Sequence, residues 1–155
     1  MNVSIRPLKI SDALISYRWR NDASIWRYTG SKPSHYIDVN KEISWIKDVL
    51  QRPNEKRFAI FIDEEHYVGN VQLTDIFNGD AEFHIFIGDV DFQGRGVGTQ
   101  ATRLILAFAK DEMGLERVHL NVHPENLSAI TVYEKCGFQL ESVSNISALY
   151  IKRLR

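Results

Sequence analysis

Three residue groups in the chain have types and spacings suited to chemistry. The first is "DFQGRGVGTQATRLIL", Asp91 to Leu106, where Gly94, Gly96 and Gly98 occupy alternate positions before a run that reads as a helix. Glycine lets a ligand approach main-chain N–H groups closely. A helix start leaves its first N–H groups unpaired and partly positive. Together these features suit a phosphate. A Walker loop is excluded, because no Lys-Ser or Lys-Thr follows the glycines. A dinucleotide fingerprint is excluded by the spacing and by a position past the midpoint of the chain. What remains is Q-x-x-G-x-G, carried by Gln93, Gly96 and Gly98. Arg95, inside the loop, can reach a phosphate or point to solvent.

The second group lies on the preceding stretch, "AEFHIFIG". Side chains alternate across a strand, so Glu82, His84 and Phe86 share one face and Phe83, Ile85 and Ile87 the other. Two titratable groups on one face can take a proton; they can equally sit at a solvated strand edge. The third group is "NLSAITVYEKCGF". Asn126 can cap a helix there. Tyr133 shares a helix face with Ala129 and Ile130. It is protonated at neutral pH, so it can donate a proton, or it can simply pack. Cys136 has no base beside it and reads as a small packed residue.

The elements that must hold these groups follow from periodicity. "VSIRPL" reads as a strand, Ser11 as an N-cap, and Ala13, Leu14, Tyr17 and Trp19 as one side of a helix. "VNKEISWIKDVL" reads as a second helix. "RFAIFID" and "YVGNVQLTDIF" read as strands, and Asn78-Gly79 as a two-residue hairpin turn into "AEFHIFIG". A helix follows the glycine loop from about Gly98 to Met113, with Gly114 at its C-terminal end. "RVHLNV" is a strand, "NLSAITVYEKC" a helix, and "FQLESV" and "ALYIKRL" are closing strands. The order is β-α-α-β-β-β-loop-α-β-α-β-β, a mixed α/β fold with one central sheet.

The 155 residues suit one domain, 1–155, with no linker or repeat. A net charge of −1 gives no general pull toward nucleic acid or anionic membrane. No apolar run approaches the roughly 20 residues of a membrane span, and the N-terminus lacks a signal-peptide pattern. One cysteine cannot form an internal disulfide. These features lead us to expect a cytoplasmic protein.

The Q-x-x-G-x-G loop resembles the [QR]-x-x-G-x-[GA] loop of the GNAT superfamily of acyl-CoA-dependent N-acetyltransferases. Asn126, Ala129, Tyr133, Gly137 and Phe138 match that family's N-x-x-[AS]-x-x-x-Y-x-k-x-G-F pattern, in the expected order about 30 residues later. The resemblance covers nearly the whole chain. It implies an α/β (α+β mixed), single-domain GNAT fold, with a central, mostly antiparallel, splayed mixed sheet flanked by helices. It implies acetyl-CoA as cofactor, with diphosphate contacts from Gln93, Gly94, Arg95, Gly96, Val97, Gly98 and Thr99. Main-chain contacts would come from Phe86 and Ile87, on a strand that bulges and splays from "VHLNV". Asn126 and Ser128 would add hydrogen bonds. No metal is implied.

Acyl transfer to an amine sets three tasks. An alkyl ammonium with a pKa near ~10.4 must lose a proton. Negative charge on the carbonyl oxygen needs an aligned N–H donor. The sulfur must leave. The resemblance assigns Tyr133 to the leaving sulfur as general acid and Glu82 to the amine as base, with His84 or water as alternatives. The acceptor side would draw on Arg18, Trp19, Arg20, Trp26, Arg27, Tyr28, His35 and Tyr36. Its basic character favours an amino-sugar nucleotide or a protein N-terminus over a polyamine. A non-catalytic acyl-CoA sensor is the competing reading, and a nucleotide-binding domain without acyl transfer the third. Expected partners are a small-molecule amine or peptide N-terminus; a homodimer stays open.

Overall fold

The computed structural model describes residues 1–26 and 35–155. The elements are β1 (Val3–Pro7), α1 (Ala13–Arg20), α2 (Val39–Val49), β2 (Lys56–Ile62), β3 (His66–Phe77), β4 (Asp80–Ile87), α3 (Val97–Asp111), β5 (Arg117–Val122), α4 (Leu127–Lys135), β6 (Gln139–Val143) and β7 (Ala148–Arg153). All seven strands form one sheet in the order β1-β2-β3-β4-β5-β7-β6. Every neighbouring pair is antiparallel except β4 and β5. The expected element order and mixed sheet are present.

Local chemistry explains most boundaries. Asn78 (φ 50°) and Gly79 (φ 76°) both take the left-handed region that a tight hairpin requires, so β3 turns directly into β4. Asp38 caps α2, accepting the Lys41 N–H at 2.8 Å. Ser11 does not cap α1. A 3-10 turn over Ile10–Asp12 precedes the helix. Asp12 is the working residue there: it accepts the Lys9 N–H at 2.8 Å and pairs with both terminal nitrogens of Arg6, at 2.9 and 2.7 Å. Its buried carboxylate has a cation from β1, and Ser11 has none.

The core has two parts, one on each face of the sheet. On one face Phe58, Val71, Phe83, Ile105, Leu120, Tyr133 and Phe138 pack with α3 and α4. On the other Ala13, Trp19 and Ile46, from α1 and α2, cover Ala59 and Tyr67, with Phe86 against them. Strand alternation sorts β4 between the two: Phe83 faces the first layer and Phe86 the second.

Candidate active site

The parallel pair of β4 and β5 is only three rungs long, Asp80↔Arg117, Ala81↔Val118 and Glu82↔His119. Beyond Glu82 the strands separate. β4 stays paired with β3 as far as Ile87, through Gly69↔Ile87. Its other edge, from Phe83 to Ile87, has no partner strand. The splay lies where the family resemblance puts it. The bulge does not: between Thr74↔Glu82 and Phe77↔Asp80 the extra residue is on β3, with Asp75 at φ 48°. The β3–β4 register runs without a shift from Gly69↔Ile87 to Thr74↔Glu82.

The glycine loop lies just past the end of β4. Gln93 reaches back, its Nε2 donating to the Ile87 carbonyl at 2.9 Å, and this bond ties the loop to the strand. Arg95 donates to the Asp91 carbonyl at 3.2 Å and lies over the Phe92 ring, 4.9 Å from its centroid. Gly96, at φ 82°, is the N-cap of α3 and offers no side-chain cap. The first intrahelical bond runs from Gln100 to the Gly96 carbonyl. The N–H groups of Val97, Gly98 and Thr99 therefore have no helical partner. Among the described residues, a Cβ at Gly94, Gly96 or Gly98 would meet nothing within 4 Å. The open space over bare donors fits a diphosphate.

Glu82 begins a row of polar side chains. Its carboxylate lies 2.9 Å from His84 Nε2 and 3.5 Å from His119 Nε2. His119 Nδ1 is 3.0 Å from Asp80, and Arg117 donates to Asp80 at 3.3 Å. His84 Nε2 also lies 3.2 Å from Thr74 Oγ1. Desolvation lowers the His84 pKa against the opposing pull of Glu82, so this ring is neutral near pH 7.

Tyr133 comes from the other face. It is buried among Phe83 and Phe138, with ring centroids 5.8 and 5.9 Å away. Burial pushes its hydroxyl up to about 12, so the proton stays on. Glu82 and Tyr133 both line a cavity of about 630 Å³ that reaches through the splay. Phe86 and Asn126 line it too; the loop residues, Ile87 and Ser128 do not. Asn126 caps α4, accepting from Ala129 N–H at 3.4 Å and from Ser128 Oγ at 3.3 Å.

On the acceptor side the two tryptophans divide. Trp19 is core. Trp26 is half-buried in the cavity wall, its ring 5.4 Å from Phe86 and its Nε1 donating to the Trp19 carbonyl. Arg20 lines the cavity; Arg18, His35 and Tyr36 do not. Arg27 and Tyr28 lie outside the described residues. Cys136 is buried against Thr99, and burial raises its thiol pKa, which suits a packed residue. Among the described residues no group of three or more His, Cys, Asp or Glu side chains is placed to hold a metal ion, and no helix is long and apolar enough to cross a membrane.

Residues 2–139 match the family model of the acetyltransferase (GNAT) domain. The chain belongs to the GNAT acetyltransferases. It is an N-acetyltransferase that uses acetyl-CoA. It is 32% identical, over 143 residues, to the spermidine N(1)-acetyltransferase of Escherichia coli (strain K12), covering 90% of this chain and 74% of that protein. The structure of Vibrio cholerae spermidine N-acetyltransferase in complex with CoA and spermine superposes with a TM-score of 0.83 at 21% identity, over 98% of this chain and 95% of that one. A domain from Methanocaldococcus jannaschii gives 0.81 at 20% identity, over 98% of each chain. At these identities the two structures speak for the fold alone.

Three residues of this GNAT site escape the sequence reading. Asp80 and His119 join Glu82 only through the parallel rungs. Glu42, given no role by the sequence of "VNKEISWIKDVL", is 1% exposed. Its Oε2 accepts from Ser16 at 2.8 Å, Arg20 is 3.6 Å from Oε1, and Oε1 has no hydrogen-bond partner among the described residues. Burial raises its pKa, against the Ser16 bond and Arg20. It lines the same cavity.

Proposed function

We propose that the chain, acting as one domain over 1–155, acetylates a primary amine bound in the cavity at the β4–β5 splay. The observation that carries this is the cavity itself. It joins Glu82 from one face of the sheet to Tyr133 from the other. Bound acetyl-CoA supplies an activated acyl group. The first-turn N–H groups of Val97, Gly98 and Thr99 would hold its diphosphate, with Gln93 bracing the loop. The free edge of Phe83–Ile87 would hold its extended arm, as an added strand pairs with a sheet edge. Glu82 takes the proton from the ammonium, so the amine attacks directly in a ternary complex. Tyr133, kept protonated by burial, gives its proton to the departing sulfur.

For the acceptor, the cavity favours a polyamine-like cation over an amino-sugar nucleotide. Glu82 supplies negative charge at the rim, and Trp26, Trp45 and Phe86 supply aromatic walls that suit a cation. Arg57, also in the wall, is held by Glu55 at 2.7 Å; Arg20 lies against Glu42 and over Trp45. Neither is left over for a phosphate. The spermidine acetyltransferase among the relatives supports the same class.

The test is thiol release from acetyl-CoA, with mass spectrometry of products, across spermidine, spermine, N-terminal peptides and amino-sugar nucleotides. Turnover with the polyamines is expected. Turnover confined to a sugar nucleotide or a peptide would overturn the acceptor assignment. Tight CoA binding with no turnover on any amine would establish the sensor reading instead.

A further inference from the structure

Glu82 does not stand alone at the cavity rim. It is the last rung before the strands part, and β5 places His119 directly opposite. The imidazole lies between two carboxylates, Nδ1 3.0 Å from Asp80 and Nε2 3.5 Å from Glu82. Asp80 is in turn fixed by Arg117. A strand-edge carboxylate in water needs no such partner. One imidazole with a carboxylate on each nitrogen is a proton conduit. We infer that His119, oriented by Asp80, is a positioning residue that aims Glu82 at the acceptor amine and relays the abstracted proton out of the cavity. This rests on the reading of Glu82 as base.

The relay balances. The Glu82 carboxylate takes one proton from the ammonium and becomes a carboxylic acid. It hands that proton to His119 Nε2 and is restored. The ring, whose Nδ1–H is already donated to Asp80, becomes an imidazolium paired with that carboxylate. The imidazole side chain is 20% exposed, so it then releases one proton to solvent and returns to neutral. The 3.5 Å separation suits a contact that tightens once the amine is bound. His84 cannot replace it. Its one engaged nitrogen serves both Glu82 and Thr74, and desolvation opposes its charging. The charged and titratable groups around the relay are Asp80, Glu82 and the neutral His84 on β4 and Arg117 on β5. Asp75 of β3 and Arg57 of β2 also act on His84.

The experiment compares His119→Ala, Asp80→Asn, Glu82→Gln and His119→Ala/Glu82→Gln with the unmutated enzyme, using the best acceptor of the panel above. His119→Ala is expected to lower kcat about tenfold and Glu82→Gln about a hundredfold, within the range of general-base catalysis. The CoA Kd should hold within twofold. Added imidazole should restore kcat to His119→Ala and not to Glu82→Gln. The double variant should match Glu82→Gln. The acidic limb of kcat/KM against pH should move in His119→Ala and Asp80→Asn. A merely structural histidine would show neither rescue nor coupling.

Failure of rescue together with an additive double variant would overturn the relay. Full activity in Glu82→Gln would instead sink the base reading beneath it. Nitrogen-15 shifts of the histidine rings in the unmutated enzyme give an independent arm. His119 should be protonated at Nδ1, and its titration should change in Glu82→Gln. A ring protonated only at Nε2, or indifferent to Glu82, would also refute the relay.

Discussion

Gly98→Ala separates what the glycine loop does for the ligand from what it does for the fold. Gly98 is the second residue of α3. Its φ lies outside the left-handed region, and an added Cβ would meet nothing within 4 Å. Nothing among the described residues therefore requires glycine there. Alanine is the better helix residue by about 0.5–1 kcal/mol. For a chain of this size that raises Tm by about 1–4 °C. The methyl group would occupy the space through which a diphosphate reaches the first-turn N–H groups. Losing one charge-assisted hydrogen bond costs about 1.5–3 kcal/mol, or roughly 10- to 150-fold in Kd.

The expected result is a protein that melts higher without ligand and binds CoA more weakly. Thermal unfolding of the free protein and calorimetric titration with CoA measure both. Gly96→Ala is the control. At φ 82° it also has open space, but a side chain there takes left-handed strain of about 1–2 kcal/mol. Its Tm should fall. An unchanged CoA Kd in Gly98→Ala would refute the close approach of a diphosphate at α3, whatever the melting data showed.

Three further outcomes follow from the same geometry. Tyr133→Phe should lower kcat by about tenfold or more while leaving CoA affinity and acidic-limb pH behaviour unchanged; equal loss of kcat and affinity would reduce Tyr133 to packing. The folded Tyr133 titrates near 12, whereas an unfolded tyrosine does so near ~10. Its contribution to stability is thus fully present below pH ~10 and is lost between there and ~12, by up to about 1.4 kcal/mol per pH unit. Melting curves across that window should flatten in Tyr133→Phe. Ser16→Ala removes the hydrogen bond to the buried Glu42 carboxylate and should cost about 1.5–3 kcal/mol, read as a lower denaturant midpoint with unchanged slope.

The sequence made the elements legible because most are fixed locally. Alternation in "AEFHIFIG", the Asn78-Gly79 turn and the glycines before "TQATRLIL" each follow from conformational preferences of a few residues. The loop and Tyr133 were legible as a pattern whose parts occur in the order the fold needs. What stayed hidden depends on partners distant in sequence. Ser11 and Asp12 are both good capping types, and neither side chain caps α1: Asp12 is drawn instead to Arg6 on β1 and the Lys9 N–H. Glu42 belongs to the polar pattern of α2 until Ser16 and Arg20 of α1 cover it. His119 lies 37 residues from Glu82, and only the three-rung parallel pairing brings them together. Arg20 suggested a phosphate site because its carboxylate and tryptophan partners could not be seen in sequence.

The short parallel pairing ties these features to function. Apart from the Ile87 carbonyl, which Gln93 caps, a strand edge without a partner strand from Phe83 to Ile87 is unfavourable if it is buried dry, so a sheet would ordinarily close over it. Closure is opposed where the gap begins. Phe83, Tyr133 and Phe138 form a triangle of rings 5.8 to 5.9 Å apart on the α3–α4 face, and the bulk of that triangle lies beside the first unpaired residue of β4. Tyr133 therefore helps to hold the slot open, besides the role of acid proposed for it. This is why phenylalanine is the informative replacement: it keeps the ring and removes only the hydroxyl. A smaller residue would let the strands approach and would confound loss of the slot with loss of the acid.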